Sequence, residues 1–117
     1  MRLNEIRYTD AVPVDGYGPG FFRIGGQVFR GPVLVLPSGV AGWGGFEDTG
    51  PLLAAVDTID VLIVGTGAGI AHLPVGFRDA LEATGLGVEA MASPTAARTF
   101  NVLLSEGRRV GLALLPV

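Results

Sequence analysis

The chain has 117 residues, enough for one domain that buries roughly two thirds of the surface of its unfolded chain. Its net charge is −3, its eight basic residues are all arginines and they form no basic run, so the composition gives no support to nucleic-acid binding. The absence of cysteine excludes disulfides, thiol nucleophiles and thiolate metal sites. We therefore expect a single domain over residues 1–117.

Two features bear on the cellular location. The N-terminal sequence Met1–Glu5 lacks the apolar core of a secretory signal, which predicts a cytoplasmic protein. Residues 61–77 are nearly uncharged, but Pro74 and several glycines make this segment a poor helix. We predict a strand and a turn there, and no membrane span.

The first predicted elements are strands and turns. Residues 3–8 alternate apolar and polar side chains, as a half-exposed strand does, and residues 15–20 are typical of a turn. Residues 21–24 and 27–29 flank Gly25-Gly26, a pair that suits the tight turn of a β-hairpin. This hairpin is expected either to form an extra layer or to extend the edge of a sheet.

Downstream, aliphatic runs alternate with helix-forming segments. Strands are predicted at residues 33–36, 61–64, 86–91 and 109–115. Helices are predicted at residues 52–56, 75–84 and 94–106. Residues 37–50 are predicted to form a long irregular segment. Because crossover helices join parallel strands, the order predicts an α/β fold with a mostly parallel sheet.

A glycine-rich turn follows the buried run Val61–Val64. Gly65, Thr66 and Gly67 open this turn at the carboxyl end of a predicted strand, where ligands bind in open α/β sheets. A dinucleotide fingerprint would need glycine at the sixth position, where this chain has Ile70. Two interpretations stay open: the backbone amides bind a small anion, or the glycines let the chain turn sharply under a packed layer.

The predicted helix after Ser93-Pro94 has a defined apolar stripe. Ser93 is expected to cap the helix, and one face of the helix is expected to pack on the sheet through Ala96, Ala97, Phe100, Leu103 and Leu104. Arg98 and Asn101 share one flank. Arg98 either completes an anion site with the amides near Ser93 and Thr95, or ties the helix to a loop carbonyl or an acid.

No catalytic constellation is visible. Trp43, in the irregular segment, is either a lid or partner anchor at the same sheet edge, or a core residue. His72 is the single histidine and has no orienting neighbour in sequence, and Glu47-Asp48 show no metal-ligand spacing. We predict no cofactor and no metal site.

The segment Met91–Asn101, followed by Glu106-Gly107-Arg108-Arg109-Val110, resembles the signature of a small domain-of-unknown-function family. The mitochondrial members of this family resemble NADH dehydrogenase (complex I) assembly factor 3. Tyr17-Gly18, the strand at residues 31–36 and Val64–Gly67 match the family pattern too. Phe100 stands where tyrosine is common, and Ala97 where many members have cysteine.

The resemblance implies a three-layer α/β fold with a mixed central sheet, no established enzymatic activity, and protein partners. Our first hypothesis is a non-catalytic accessory protein that binds a protein partner, in the assembly of a membrane-associated respiratory complex. The alternative is a small-anion or nucleotide-type binding protein that uses the glycine turn and Arg98. A homo-oligomer stays open under both.

Overall fold

The computed structural model describes residues 12–117, so the strand predicted at residues 3–8 lies outside the described part of the chain. Eleven elements follow one another within it. The strands are β1 (Val14–Gly18), β2 (Phe21–Ile24), β3 (Gln27–Arg30), β4 (Val33–Leu36), β5 (Gly39–Gly42), β6 (Val61–Thr66), β7 (Gly87–Met91) and β8 (Val110–Leu115). The helices are α1 (Gly50–Ala54), α2 (Val75–Glu82) and α3 (Ser93–Ser105).

The strands form two sheets. A three-stranded antiparallel sheet has the order β1-β2-β3, and a five-stranded mixed sheet has the order β5-β4-β8-β6-β7. The strand β6 pairs in parallel with β7 and β8, while β4 pairs antiparallel with β5 and β8. The parallel prediction therefore holds for β8-β6-β7, and β8 inserts between β4 and β6 although it is last in the chain.

The central sheet separates two apolar clusters, because successive side chains of a strand point to opposite faces. On one face, Ile63 of β6 packs with α3 and the small sheet, including Phe22 and Phe100. On the other face, Leu62 and Val64 pack with α1, α2 and the segment around Trp43. The result is a three-layer α/β fold with the N-terminal hairpin as part of one outer layer.

The hairpin prediction is confirmed, and a neighbouring prediction is wrong. Strands β2 and β3 join through Gly25-Gly26, both with positive φ (58° and 81°), as a primed turn requires. Residues 15–18, however, belong to strand β1 and not to a turn. Because Gly18 has no side chain, it leaves room for the ring of Phe21; a Cβ built on Gly18 would lie 2.5 Å from that ring.

The segment after β4 is also more regular than predicted. Residues 39–42 form β5, paired antiparallel with β4, and only the rest of residues 37–50 is irregular or in the start of α1. The sequence Gly-Val-Ala-Gly contains one strand-favouring residue, so the partner strand and not local propensity determines β5. Helix α1 begins and ends two residues earlier than expected.

Candidate functional site

The carboxyl end of β6 and the start of α3 are in direct contact at Gly65. A Cβ built on Gly65 would lie 2.6 Å from the Leu114 Cδ2 and 2.8 Å from the backbone Cα of Ser93. Both distances are too short for real atoms, so only glycine allows α3 to lie this close to the sheet. Gly65 is therefore buried under the helix and does not line an open pocket.

Ser93 joins three chain segments at this point. Ser93 is fully buried, and no other polar residue within residues 12–117 is buried. Its hydroxyl accepts a hydrogen bond from the Gly67 N–H (2.9 Å) and donates one to the Leu115 carbonyl (2.6 Å). Its own N–H donates to the Gly67 carbonyl (2.7 Å). Ser93 thus connects α3 to the ends of β6 and β8.

This arrangement corrects the prediction that Ser93 caps the helix. The cap position is Ala92, in extended conformation and without a side-chain cap, and Ser93 is already in the first turn. The Ser93 hydroxyl is unavailable to the helix because it bonds the sheet. The sequence shows a typical capping residue, but the tertiary contacts give its oxygen another partner.

Thr66 stabilises the glycine turn internally. Its hydroxyl accepts a hydrogen bond from the Ala71 N–H (3.0 Å) and lies within donating distance of the Gly69 carbonyl (2.7 Å) and the Met91 carbonyl (3.2 Å). Side-chain bonds of this kind hold a loop without any ligand.

Few donors remain for an anion at the start of α3. The Ser93 N–H is bonded to Gly67, Pro94 has no N–H, and the Ala96 N–H bonds the Ala92 carbonyl. The N–H and the hydroxyl of Thr95 are the remaining donors of this turn among the described residues. Arg98 is exposed and makes no hydrogen bond or ion pair with any residue from 12 to 117.

Asn101, predicted beside Arg98, contacts the small sheet. Its side-chain carbonyl accepts from the Val14 N–H (2.9 Å), and its amide donates to the Val14 carbonyl (2.9 Å). The side chain therefore imitates a neighbouring strand at β1. Asn101 holds the N-terminal sheet to α3, across 87 positions of sequence.

We expect Asn101→Ala to lower the free energy of unfolding by about 1–2 kcal/mol, because the N–H and carbonyl of Val14 then lose their partners. Chemical denaturation measures this. The adjacent Val102→Ala, at a side chain 55% exposed, is the control and is expected to change stability by no more than about 0.5 kcal/mol. Equal stability of both variants would contradict the role of Asn101.

Trp43 occupies the core position and not the lid position. Its side chain is 5% exposed and packs against the rings of Phe46 and Phe77, with centroids 5.7 and 6.0 Å away. The indole N–H donates to the Asp48 carbonyl (3.0 Å). Of the residues proposed for the site, Gly65, Thr66, Gly67, Ser93 and Thr95 lie together, while Trp43 lies on the other face of the sheet.

The structure also contains a groove that the sequence did not predict. It has a volume of about 720 Å³ and lies beside β7 between the end of the glycine turn and α2. Ile70 and Val75 line it with exposed fractions of 73% and 74%. In the sequence, Ile70 only departs from the dinucleotide motif, and a single apolar residue in a turn is too common to indicate a groove.

Metal and acid-base chemistry receive no geometric support in the described part of the chain. No group of three or more histidine, aspartate or glutamate side chains is placed to hold a metal ion within residues 12–117. His72 is exposed on the groove and makes no hydrogen bond to another described residue.

Comparison with known proteins identifies the family. Residues 14–115 match the family model described as "Protein of unknown function (DUF498/DUF598)". The chain belongs to this family. An uncharacterized protein of Rhodobacter capsulatus is 51% identical over 117 residues, which cover all of this chain and 94% of that protein.

Relatives with a named role occur among animals. The human NADH dehydrogenase [ubiquinone] 1 alpha subcomplex assembly factor 3 is 34% identical over 123 residues, and the rat protein is 33% identical. The alignments cover 99% of this chain and 67% and 66% of those proteins. The chain therefore spans about two thirds of the length of these assembly factors.

Solved structures support the fold. A protein of Bartonella henselae, described as an outer membrane protein, superposes with a TM-score of 0.84 at 36% identity, over 93% of this chain and 98% of that one. A Bordetella pertussis protein described as a Mth938-like domain gives a TM-score of 0.75 at 29% identity, over 99% and 91%.

Within residues 12–117, no helix has the length and apolar character that crossing a bilayer demands. The longest, α3, has 13 residues, whereas a span takes about 20.

Proposed function

We propose that the protein is a non-catalytic accessory factor that binds a protein partner during assembly of a membrane-associated respiratory complex. The observation that carries the proposal is the relationship to the assembly factors, at 33–34% identity along 99% of this chain. The internal use of the polar groups around Ser93 and the exposed apolar residues of the groove support it. A cytoplasmic location belongs to the same proposal.

The test is removal of the protein from its native cell. We expect the level of the assembled respiratory complex on native gels to fall and incomplete subcomplexes to accumulate, and the full chain to restore the complex. A tagged chain should recover a subunit or another factor of that complex at stoichiometric amount. Normal complex levels in its absence would overturn the proposal.

The anion-binding alternative rests on Gly65–Gly67, Ser93, Thr95 and Arg98. Hydrogen bonds within the protein already use most of these polar groups, so among the described residues the N–H and hydroxyl of Thr95 and the Arg98 guanidinium remain to attract an anion. Thermal unfolding with phosphate and nucleotides separates the two hypotheses. Stabilisation by such a ligand that Arg98→Ala abolishes would favour the alternative, since binding to the folded state raises its stability.

A further inference from the structure

Within residues 12–117, β7 is an edge strand of the central sheet, and its outward backbone groups can be identified. The Gly87 N–H donates to the Asp60 carbonyl (3.3 Å), so Gly87 faces β6. The backbone groups of successive strand residues point to opposite sides, which places those of Val88 and Ala90 outward. Two side-chain contacts support this assignment. The Thr66 hydroxyl of β6 lies near the Met91 carbonyl, which faces β6, and the Arg78 guanidinium donates to the Val88 carbonyl, which faces away from β6 (3.4 Å).

Apolar side chains accompany this edge on the α2 face of the sheet. Val88 and Ala90 point to the α2 face, and the groove beside them is lined by the exposed Ile70 and Val75. Unpaired strand edges usually carry charges that discourage pairing. Glu89 is such a charge on β7, but two large aliphatic side chains, each more than 70% exposed, also flank this edge.

We propose that β7 accepts an extended strand from a protein partner, and that side chains of this strand alternate between apolar and basic. The proposal rests on the proposed function and names the surface through which the partner binds. Strand addition satisfies the outward Val88 N–H and the outward backbone groups of Ala90, and it exchanges the Arg78 contact at the Val88 carbonyl for a backbone donor. Neighbouring side-chain sites then select the sequence. The apolar residues of the added strand contact Ile70 and Val75, and the basic residues lie opposite Glu89.

Charge favours a basic partner. Three carboxylates, those of Asp79, Glu82 and Glu89, lie along the edge and α2, against a single guanidinium, Arg78. Arg78 is bound to Glu82 (3.0 Å), so the carboxylates of Asp79 and Glu89 are not neutralised by it. An opposite charge directly across a strand pair stabilises pairing, by up to about fivefold in affinity for each pair.

The same charge disfavours a second copy of this chain. Two β7 strands that pair antiparallel over their full length, residues 87–91, place Glu89 directly opposite Glu89. Like charges in facing positions destabilise a strand pair. Other registers avoid this contact but shorten the pairing of a strand that has only five residues.

The experiment titrates two synthetic peptides into purified protein and follows backbone amide signals by NMR. One peptide is acetyl-Ser-Val-Lys-Val-Lys-Val-Ser-amide, and the other has glutamate in place of both lysines. We expect saturable shifts of the Val88, Ala90, Ile70 and Val75 amides, with the lysine peptide binding about fivefold more tightly. Glu89→Lys is expected to reverse the preference between the two peptides.

Proline substitutions separate edge pairing from general surface binding. Ala90→Pro removes an outward N–H but no bond to β6, so it should abolish binding while the fold persists. Gly42→Pro is the matched control at the opposite edge, β5. The Trp43 N–H donates to the carbonyl of Pro32, the residue before β4, so Trp43 faces β4 and Gly42 faces outward. A Cβ built on Gly42 meets no atom within 4 Å. The Gly42→Pro variant should therefore bind the lysine peptide as tightly as the parent protein does.

Several results would overturn the proposal: absence of shifts at β7 at millimolar peptide, equal affinity for both peptides, or a preference that Glu89→Lys leaves unchanged. A dimer of the free protein that Ala90→Pro dissociates, measured by sedimentation, would show that a second copy occupies the edge. These outcomes are independent of the test in cells. If the complex still depends on the protein while the titrations fail, the accessory function stands and its binding surface is elsewhere.

Discussion

The Gly65→Val variant is expected to lose about 3 kcal/mol of free energy of unfolding, with a fall in melting temperature of about 10 °C. The added side chain would overlap the Leu114 methyl and, more seriously, the backbone of Ser93, at 2.6 and 2.8 Å from the first new atom. A backbone atom cannot rotate away, so α3 would have to move off the sheet. Thermal and chemical unfolding measure the loss.

Gly69→Ala is the matched control in the same turn. No atom lies within 4 Å of a Cβ at Gly69, and its φ is not positive. We expect a change within about 0.5 kcal/mol. If Gly65→Val were as stable as Gly69→Ala, the close contact between α3 and β6 would be wrong, and an open turn available to ligands would regain support.

The Ser93→Ala variant is expected to be destabilised by about 2–3 kcal/mol, since each buried polar group left without a partner costs about 1–3 kcal/mol. The substitution leaves the Gly67 N–H and the Leu115 carbonyl without the hydroxyl that now bonds both. Removal of the oxygen also leaves a small void in a fully buried position. Denaturant titration gives the value.

Ser105→Ala provides the comparison at the other end of α3. Ser105 is exposed, and its hydroxyl donates to the Val102 carbonyl of its own helix and to no other described residue. Alanine favours helices, so this variant should be as stable as the parent or slightly more stable. Equal effects of both substitutions would show that the Ser93 hydroxyl does not join the strands.

The groups around Ser93 illustrate why a plausible ligand site was predicted from sequence. Gly65, Gly67 and Ser93 are the residue types that bind anions at the ends of strands and the starts of helices. The same types allow close packing and satisfy buried backbone groups. Whether these residues bind an anion or pack closely depends on which atoms lie within about 3 Å of them. The tertiary contacts of β6, β8 and α3 determine those atoms.

The position of β7 at the edge of the sheet could be predicted only in part from the sequence, for a related reason. Residues 86–91 were expected to form a strand, and residues 87–91 do. The charged Glu89 inside the strand favours an edge position, but nothing in those residues indicates which strand lies beside it. That depends on β8, which lies between β4 and β6 and leaves β7 with one neighbour among the described strands.

The sequence by itself determined the elements whose signal is local. Aliphatic runs specified the buried strands, Gly25-Gly26 specified the hairpin turn, and the apolar stripe of α3 specified its buried face. The motif from Met91 to Asn101 also indicated the family that the comparison confirmed. Only the tertiary structure decided the strands β1 and β5, the strand order and the roles of Ser93 and Asn101, because each depends on partners that are distant in the chain.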